Sequence, residues 1–428
     1  MLRKIKIEGL FNRFNYCIEL KKDGITILTG PNGFGKSTIL KIIQDYSIGD
    51  ITQITLHKYK SIQMSFEKNI VHKIVFTDDF IRLNDKINVK REAFIALVTE
   101  GTQRRLPPYF ERISQNEFID MRTKETVKLG KIFASDNVTA FYNYDSISKD
   151  DMDILWNIIE DIKTKLGGVK FIGAQRLIAE VPERDDRKYY REITMKAIRV
   201  IKDIPEKLKI EISKVASEHS SLSNELDSTF PNRLFSEKTG LSKDEYDEIS
   251  KEVASNQDSL KKYGLTGTKD WSSLKFNTKF AEALKIHFND SKQKYLVFEK
   301  LVKKMDTFET IINGMLNNKK IKLSKSSGME IIDIVEATVL ELDNLSSGEQ
   351  EIIVLFYQLI FESKERILLI DEPEISLHIA WQMELLKDFR KIVDISEHKL
   401  ELIIATHSPQ IINNNWDIQI DLNEINNA

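Results

Sequence analysis

An α/β fold interrupted by a mainly helical insertion is what this 428-residue chain predicts. Three observations carry that expectation. Continuous apolar runs that end in glycine, acid or polar residues ("GITILTG", "RILLIDE", "LELIIATH") sit near the two ends of the chain and read as buried parallel strands. Between them, residues 188–320 turn rich in Lys, Glu, Ser and Asp with helical periodicity. The first apolar run leads directly into "GPNGFGKST", a glycine-rich turn followed by a helical pattern.

In chain order, "RKIKIEGL" alternates charge with apolar residues as a half-buried strand does, "YCIELK" repeats the pattern, and "GITILTG" is a central strand. "KSTILKIIQDYS" places Ile39, Leu40, Ile42 and Ile43 at helical spacing. "ITQITLHKY", "SIQMSFE" and "HKIVFT" are strand-like, and residues 90–165 read as mixed and mainly helical, with "DILWNIIEDIKTKL" the clearest amphipathic helix. "GVKFIGAQRLIAEV" is a strand followed by an arginine-bearing turn. In the middle, "TMKAIRVIKDIPEKLKIEISKV" and "YLVFEKLVKKMDTFETIINGML" are the strongest amphipathic helices, while "SSLSNELDSTFPNR" and "SNQDSLKKYGLTGTKDWSS" read as loops. Heptads are not sustained, which predicts a compact helical insertion and no long coiled-coil arm. "GMEIIDI" and "TVLELDNL" suggest a hairpin, a helix opens at Ser346, and "DIQIDL" is a last short strand.

Composition sets bounds. With 41% hydrophobic and 30% charged residues the chain can bury a sizeable core and stay soluble. The formal net charge of -3 argues against a surface that binds nucleic acid everywhere, and leaves a local basic groove open. Cys17 is the single cysteine, so neither an intrachain disulfide nor a cysteine metal cluster can form, which fits a reducing, cytoplasmic setting. "MLRKIKIEGL" lacks a secretory apolar region, and no apolar run reaches about 18 residues, so a membrane span is not expected.

Four motifs carry chemistry. "GPNGFGKST" fits the phosphate-cradling loop: Gly30, Gly33 and Gly35 let backbone N–H groups approach phosphate, and the following helix adds its positive end. Lys36 is placed to reach β- and γ-phosphates and Ser37 to ligate Mg²⁺, with Asn32 and Thr38 completing the candidate nucleotide-binding set. "RILLIDEPEISLH" delivers Asp371 and Glu372 to the carboxyl end of a strand, a metal-holding acid followed by a water-orienting one; "EPEIS" also reads as a helix start. In "LSSGEQ", Ser346 and Glu349 form a capping-box pattern, and Gly348 beside it makes the same helix end an anion site; a well-capped core helix and a phosphate contact are both consistent with it. "LIIATHSPQII" ends a buried strand in Thr406 and His407, where His407 is a candidate phosphate sensor.

In this order, the four motifs resemble the heads of ABC-type ATPases, and among them the SMC/RecF/OLD-like branch. The resemblance covers residues 1 to about 80 and 320–428 well and the middle poorly. It implies the ABC-type P-loop ATPase head, a mixed sheet with flanking helices, closing head to tail as a homodimer or higher homo-oligomer around two ATP molecules. It further implies that Glu372 is the catalytic base, His407 the switch histidine, Ser346 and Gly348 contacts to the γ-phosphate held by the opposing copy, and Ser376–His378 the dimer-interface loop. Ser37, Asp371 and Gln63 are the metal candidates; Gln63 reads either as the Q-loop glutamine or as an exposed strand residue. Gln175 and Arg176 recur in this branch, where the arginine is either near phosphate or in a structural ion pair. The Ser-Ser-Gly signature and the Asp-Glu-Pro-Glu pattern depart from transporter forms and argue against a transport ATPase.

The expected organisation is residues 1–90 as the N-terminal part of the head, 91–176 as its remainder with a helical lobe, 177–320 as a helical, partner-binding insertion, and 321–428 as the C-terminal part of the head. Asp417, Asp421 and Glu424 are too few to build the nuclease domain that OLD-type proteins carry, so an effector activity is expected on another chain. The expected function is a Mg·ATP-hydrolysing switch that controls a separate nuclease, toxin or reverse-transcriptase complex, similar to the ATPase components of anti-phage systems of the Septu, retron and PARIS kinds. The alternative is a RecF/SMC-like repair ATPase clamping DNA, with "QRR" (103–105), "DDRKYYR" (185–191) and "NNKKIKLSK" (317–325) as its basic stretches, each of which also reads as a solvated face. A third possibility is an ATP-locked scaffold with incidental turnover.

Overall fold

The computed structural model describes residues 1–49, 53–54, 57–77, 79–85, 87–90, 110–112, 117–121, 123–128, 160–184, 193–266 and 275–427. The chain divides into two compact units, Met1–Ile198 with Glu362–Ala428, and Arg199–Phe361.

The first unit begins with β1 (Leu2–Leu10), whose Ile5 and Ile7 face the core while Arg3 and Lys6 face out, and β2 (Phe14–Glu19). β3 (Ile25–Thr29) is buried along its whole length and leads through the glycine-rich turn into α1 (Lys36–Ile48). β4 (Ser61–Phe66), β5 (Val71–Phe76), β6 (Phe80–Leu83) and β7 (Ile87–Lys90) complete a six-stranded antiparallel sheet in the order β2-β1-β4-β5-β6-β7. The stretch expected as a strand at "ITQITLHKY" differs in its described part. Gln53 and Ile54 are helical, and buried Tyr59 folds back to bond Tyr46 Oη at 3.2 Å and the Ile54 carbonyl at 3.1 Å.

Between 90 and 165, where helix was expected, the described residues include β8 (Phe110–Arg112), β9 (Glu117–Asp120) and β10 (Glu125–Lys128) in a three-stranded antiparallel sheet. Three or four residues are too few for either periodicity to declare itself. Only the end of the expected 153–166 helix, from Glu160, is described, and it is helical. β11 (Val169–Ile172) follows, then the pair β12 (Ile178–Arg184) and β13 (Ile193–Arg199). The last of these occupies the start of the expected "TMKAIR…" helix, whose β-branched Ile193, Thr194 and Ile198 favour the extended state.

The second unit is built on α2 (Val200–Ser236), α3 (Lys243–Lys262) and α4 (Ala281–Met315). α2 and α4 pair antiparallel: Arg233 meets Asp290, Asp227 meets Lys294, and the His219 ring lies tilted against Phe298. α2 runs through the expected loop at 220–233. Ser221, Ser228 and Thr229 return their hydroxyl bonds to the carbonyls of Ser217 and Glu225, so the polar run stays helical, and Pro231 sits inside the helix. The second expected loop is likewise helical up to Lys262, with 267–274 outside the described residues. At 37 and 35 residues, α2 and α4 are longer than the compact insertion expected. β14 (Lys319–Ser324), β15 (Gly328–Asp333) and the two-residue β16 (Val339–Leu340) form an antiparallel sheet; the expected hairpin is β15–β16, and β14 is an addition to it. α5 (Ser347–Ile360) opens after Ser346, as expected, and is buried almost throughout.

The chain then returns to the first unit with β17 (Ile367–Asp371), α6 (Ile379–Ile395), β18 (Glu401–Ala405), the short α7 (Pro409–Ile412), β19 (Gln419–Asp421) and α8 (Leu422–Asn427). β11-β17-β18-β3-β19 make a five-stranded sheet in which every pairing is parallel. β3, β17 and β18 are buried at every residue, as strands covered on both faces must be. The first unit is thus α/β, with a wholly parallel five-stranded sheet and a wholly antiparallel six-stranded one, and its sequence is interrupted by the mainly helical second unit. None of the helices among the described residues is long and apolar enough to cross a membrane.

Candidate nucleotide site

Strand order assembles the site. β18 lies between β3 and β17, with Ala405 opposite both Asp371 and Leu28 in parallel register, so the loops after all three strands open at one sheet edge. The glycine-rich turn leaves β3 and ends at Gly35, the residue before α1, with φ 86°. A Cβ there would lie 2.7 Å from Leu10 Cδ2, so Gly35 is required both by its left-handed backbone and by the close packing of β1. Gly33 has φ 84° but open space around it, as a loop that receives a ligand needs.

Lys36 is 4% exposed. Its ammonium donates to the carbonyls of Gly30 at 2.7 Å and Pro31 at 3.2 Å and lies 3.2 Å from His407 Nδ1. Three protons thus meet three acceptors, so His407 Nδ1 carries the lone pair and the ring proton sits on Nε2. That Nε2 is 3.5 Å from Glu372 Oε1. Burial pulls the Lys36 pKa below its ordinary value, and the carboxylates of Glu372, Asp371 and Glu374 oppose that shift.

Ser37 Oγ donates to Asp371 Oδ1 at 2.8 Å, joining the first turn of α1 to the end of β17. Burial raises the Asp371 pKa, against the Ser37 hydrogen bond and the charges of Lys41 and Lys36. A hydroxyl and a buried carboxylate are the hard oxygen donors a magnesium ion takes, and the lysine and backbone amides of the turn suit phosphate oxygens. Asn32 is exposed in the turn and Thr38 is half-buried in the first turn of α1.

Glu372 turns the chain out of the sheet. Its φ is 46°, its amide donates to the Ala405 carbonyl at 2.8 Å, and its own carbonyl accepts from the buried Arg176 guanidinium at 3.3 Å. Arg176 also donates to the Pro373 carbonyl at 3.2 Å. Arg176 therefore serves the backbone that presents Glu372. The expected helix start at "EPEIS" is not one: α6 begins at Ile379, capped by His378 Nδ1, and Glu374 instead binds the loop after β18. Its Oε1 accepts from Thr406 Oγ1 at 2.7 Å, His407 N at 2.8 Å and Ser408 N at 3.2 Å. Sequence reading passed over this residue. Its signal was the third acid in "DEPE", one more than the metal and base readings use.

Gln63 takes no part in the Ser37–Asp371 pair. It sits on β4 between Lys6 and Lys73 in register, on the face opposite buried Ile62 and Met64. In the second unit, Ser346 caps α5 with a full capping box: Glu349 N donates to Ser346 Oγ at 3.3 Å and Ser346 N to Glu349 Oε2 at 2.8 Å. Burial would raise the Glu349 pKa, but the ion pair with Lys319 at 2.7 Å and the Ser346 donors hold it below its ordinary value. Gly348 is buried in the same turn. Of the basic stretches, 103–105 and 185–191 lie outside the described residues. In 317–325, Lys319 is paired to Glu349 and Lys322 faces Glu330 across β14–β15.

The family model for the AAA ATPase domain matches residues 1–412. Among curated proteins, none matches the sequence. Solved structures similar to the chain include an Smc head domain with an extended coiled coil from Pyrococcus furiosus, bound to the C-terminal domain of ScpA, at 13% identity over 96% of this chain and 91% of that one, with a TM-score of 0.37. Another is the SMC head domain from Thermotoga maritima, at 12% identity over 96% and 90%, with a TM-score of 0.36. The family match extends over nearly the whole sequence. The chain belongs to the AAA ATPase domain family.

Proposed function

We propose that this protein binds Mg·ATP at the Lys36–Ser37–Asp371 site, hydrolyses it, and acts as an ATP-driven switch for a separate effector protein in anti-phage defence. The observation that carries the nucleotide reading is the Ser37 Oγ–Asp371 Oδ1 contact of 2.8 Å, with Lys36, Glu372 and His407 gathered around it. Ser37 and Asp371 hold magnesium, which when bound neutralises charge on the phosphate oxygens. Lys36 leaves the Gly30 and Pro31 carbonyls for the phosphates. Glu372 orients the attacking water and takes its proton, and His407 senses the terminal phosphate.

In this reading, two copies close head to tail, and Ser346 and Gly348 of each complete the other's site. The support for this is the order of the four motifs and the capped, anion-ready start of α5. The defence role draws on the resemblance of stand-alone heads with helical insertions of this size to the ATPase components of anti-phage systems; the Ser-Ser-Gly signature and the Asp-Glu-Pro-Glu pattern speak only against a transport ATPase. Lys36→Ala should abolish ATP binding, and Glu372→Gln should trap a closed, ATP-loaded dimer. Glu372→Gln protein expressed at its native locus, purified with its bound protein and nucleic acid identified, tests the switch. A stoichiometric nuclease, toxin or reverse transcriptase supports it; DNA with no protein partner would favour the repair clamp.

A further inference from the structure

The loop that carries His407 is held by one carboxylate oxygen. Glu374 Oε1 takes the Thr406 hydroxyl and the successive amides of His407 and Ser408, at 2.7, 2.8 and 3.2 Å, from more than thirty positions away in sequence. Glu374 Oε2 is buried with no hydrogen-bond partner among the described residues. A carboxylate that leaves one oxygen unpaired in the interior costs stability, so its retention points to what the other oxygen holds. The grip continues outward. Ser408 Oγ donates to Gln382 Oε1 at 2.6 Å, and Gln382 Nε2 donates to the Leu377 carbonyl at 2.9 Å, which ties the His407 loop to residues 376–378.

We infer that Glu374 is a positioning residue for turnover: it fixes the backbone of His407 so that the imidazole stands between Lys36 and Glu372. The inference rests on the ATPase reading, because it assigns a role in that reaction. Glu374 makes no hydrogen bond to Lys36 or to the Ser37–Asp371 pair among the described residues; its charge is felt by both Lys36 and Asp371, while its hydrogen bonds act through the Thr406–Ser408 segment. An amide at this position keeps an acceptor for the same three donors, whereas alanine removes it.

The test compares Glu374→Ala, Glu374→Gln and Thr406→Val by kcat, KM for ATP and the ring resonances of isotope-labelled histidine. The chain has 7 histidines, and His407→Gln identifies the signal of interest. Glu374→Ala should lower kcat by about 100-fold, the scale of a misplaced group, with KM little changed, and should displace or broaden the His407 signal. Glu374→Gln should restore most of the lost turnover and the wild-type signal. Thr406→Val, which deletes one donor of three from a fully buried side chain, should fall between and serves where the alanine variant does not fold. A glutamine variant as inactive as the alanine variant would overturn positioning in favour of a charge or base role, and an unmoved His407 signal in Glu374→Ala would overturn it outright. If the wild type shows no ATP turnover, the function proposed above fails on its own, while the histidine signal still decides what Glu374 holds.

Discussion

Ser37 and Asp371 lie 334 positions apart in sequence and meet at 2.8 Å, hydroxyl to carboxylate, at the mouth of the parallel sheet. Ser37→Ala should therefore weaken ATP binding only when magnesium is present. Calorimetric titration with and without the metal should show a loss of about 1–3 kcal/mol in the first case and close to none in the second. Equal losses in both would remove Ser37 from the metal site.

Arg176 is 4% exposed and donates from one guanidinium nitrogen to the carbonyls of Glu372 and Pro373, the turn where φ reaches 46°, and from another to that of Gly173. Arg176→Ala should cost about 2–3 kcal/mol in chemical denaturation, because two buried acceptors lose their donor, and should lower kcat through Glu372. Arg176→Lys should recover only part, since the shorter lysine does not place its ammonium where the guanidinium Nη2 meets both carbonyls.

Gly33 and Gly35 share a left-handed backbone but differ in surroundings. Gly33→Ala carries only the strain of that backbone, about 1–2 kcal/mol. Gly35→Ala adds a collision with Leu10 Cδ2 at 2.7 Å, and should cost about 1–3 kcal/mol more. Denaturant melts of the two variants should rank in that order.

Glu401 opens β18 at 4% exposure, its Oε1 has no hydrogen-bond partner among the described residues, and burial pushes its carboxyl from 4.5 up to about 7. Between those values the native state keeps a proton that the unfolded chain has released. Stability therefore falls as pH rises through that window, and the loss persists above it, to at most about 3 kcal/mol. Glu401→Gln should raise the melting temperature relative to wild type at pH 8 and leave it nearly unchanged at pH 4. A difference independent of pH would show that the carboxyl titrates elsewhere.

If Ser346 acts on the nucleotide of a second copy, two inactive variants should complement. Ser346→Ala costs about 1 kcal/mol of helix capping and should lose turnover, as should Lys36→Ala. Mixed together, they form heterodimers with one whole site, and part of the ATPase activity should return. No recovery on mixing would mean that each copy works alone.

Much of this architecture could be read from the residues because the relevant runs are long and uniform. β3, β17 and β18 are apolar from end to end, and the α5 capping box is spelled out within four positions. Where the reading failed, local chemistry competed with tertiary packing. The serines and Pro231 at 220–233 look like a loop, but Arg233 on Asp290 and buried Leu226 hold that run as helix. The strands at 110–128 are too short for any period. The role of Glu374 depends on residues more than thirty positions downstream, and no window of sequence shows that the third acid of "DEPE" faces them. Gln63 lies in register between two lysines, information that belongs to strand pairing and not to the strand itself.

The antiparallel pairing of α2 with α4 makes a rod about 50 Å long at 1.5 Å per residue, and the end where α2 stops and α4 starts exposes Phe235 and Phe280. A rod of that length is a geometric amplifier. Turning it by about 5° at the β14–β16 end sweeps the aromatic end through about 4 Å, roughly three quarters of a helical turn. Motions too small to notice at its root become, at its far end, displacements on the scale of a side chain.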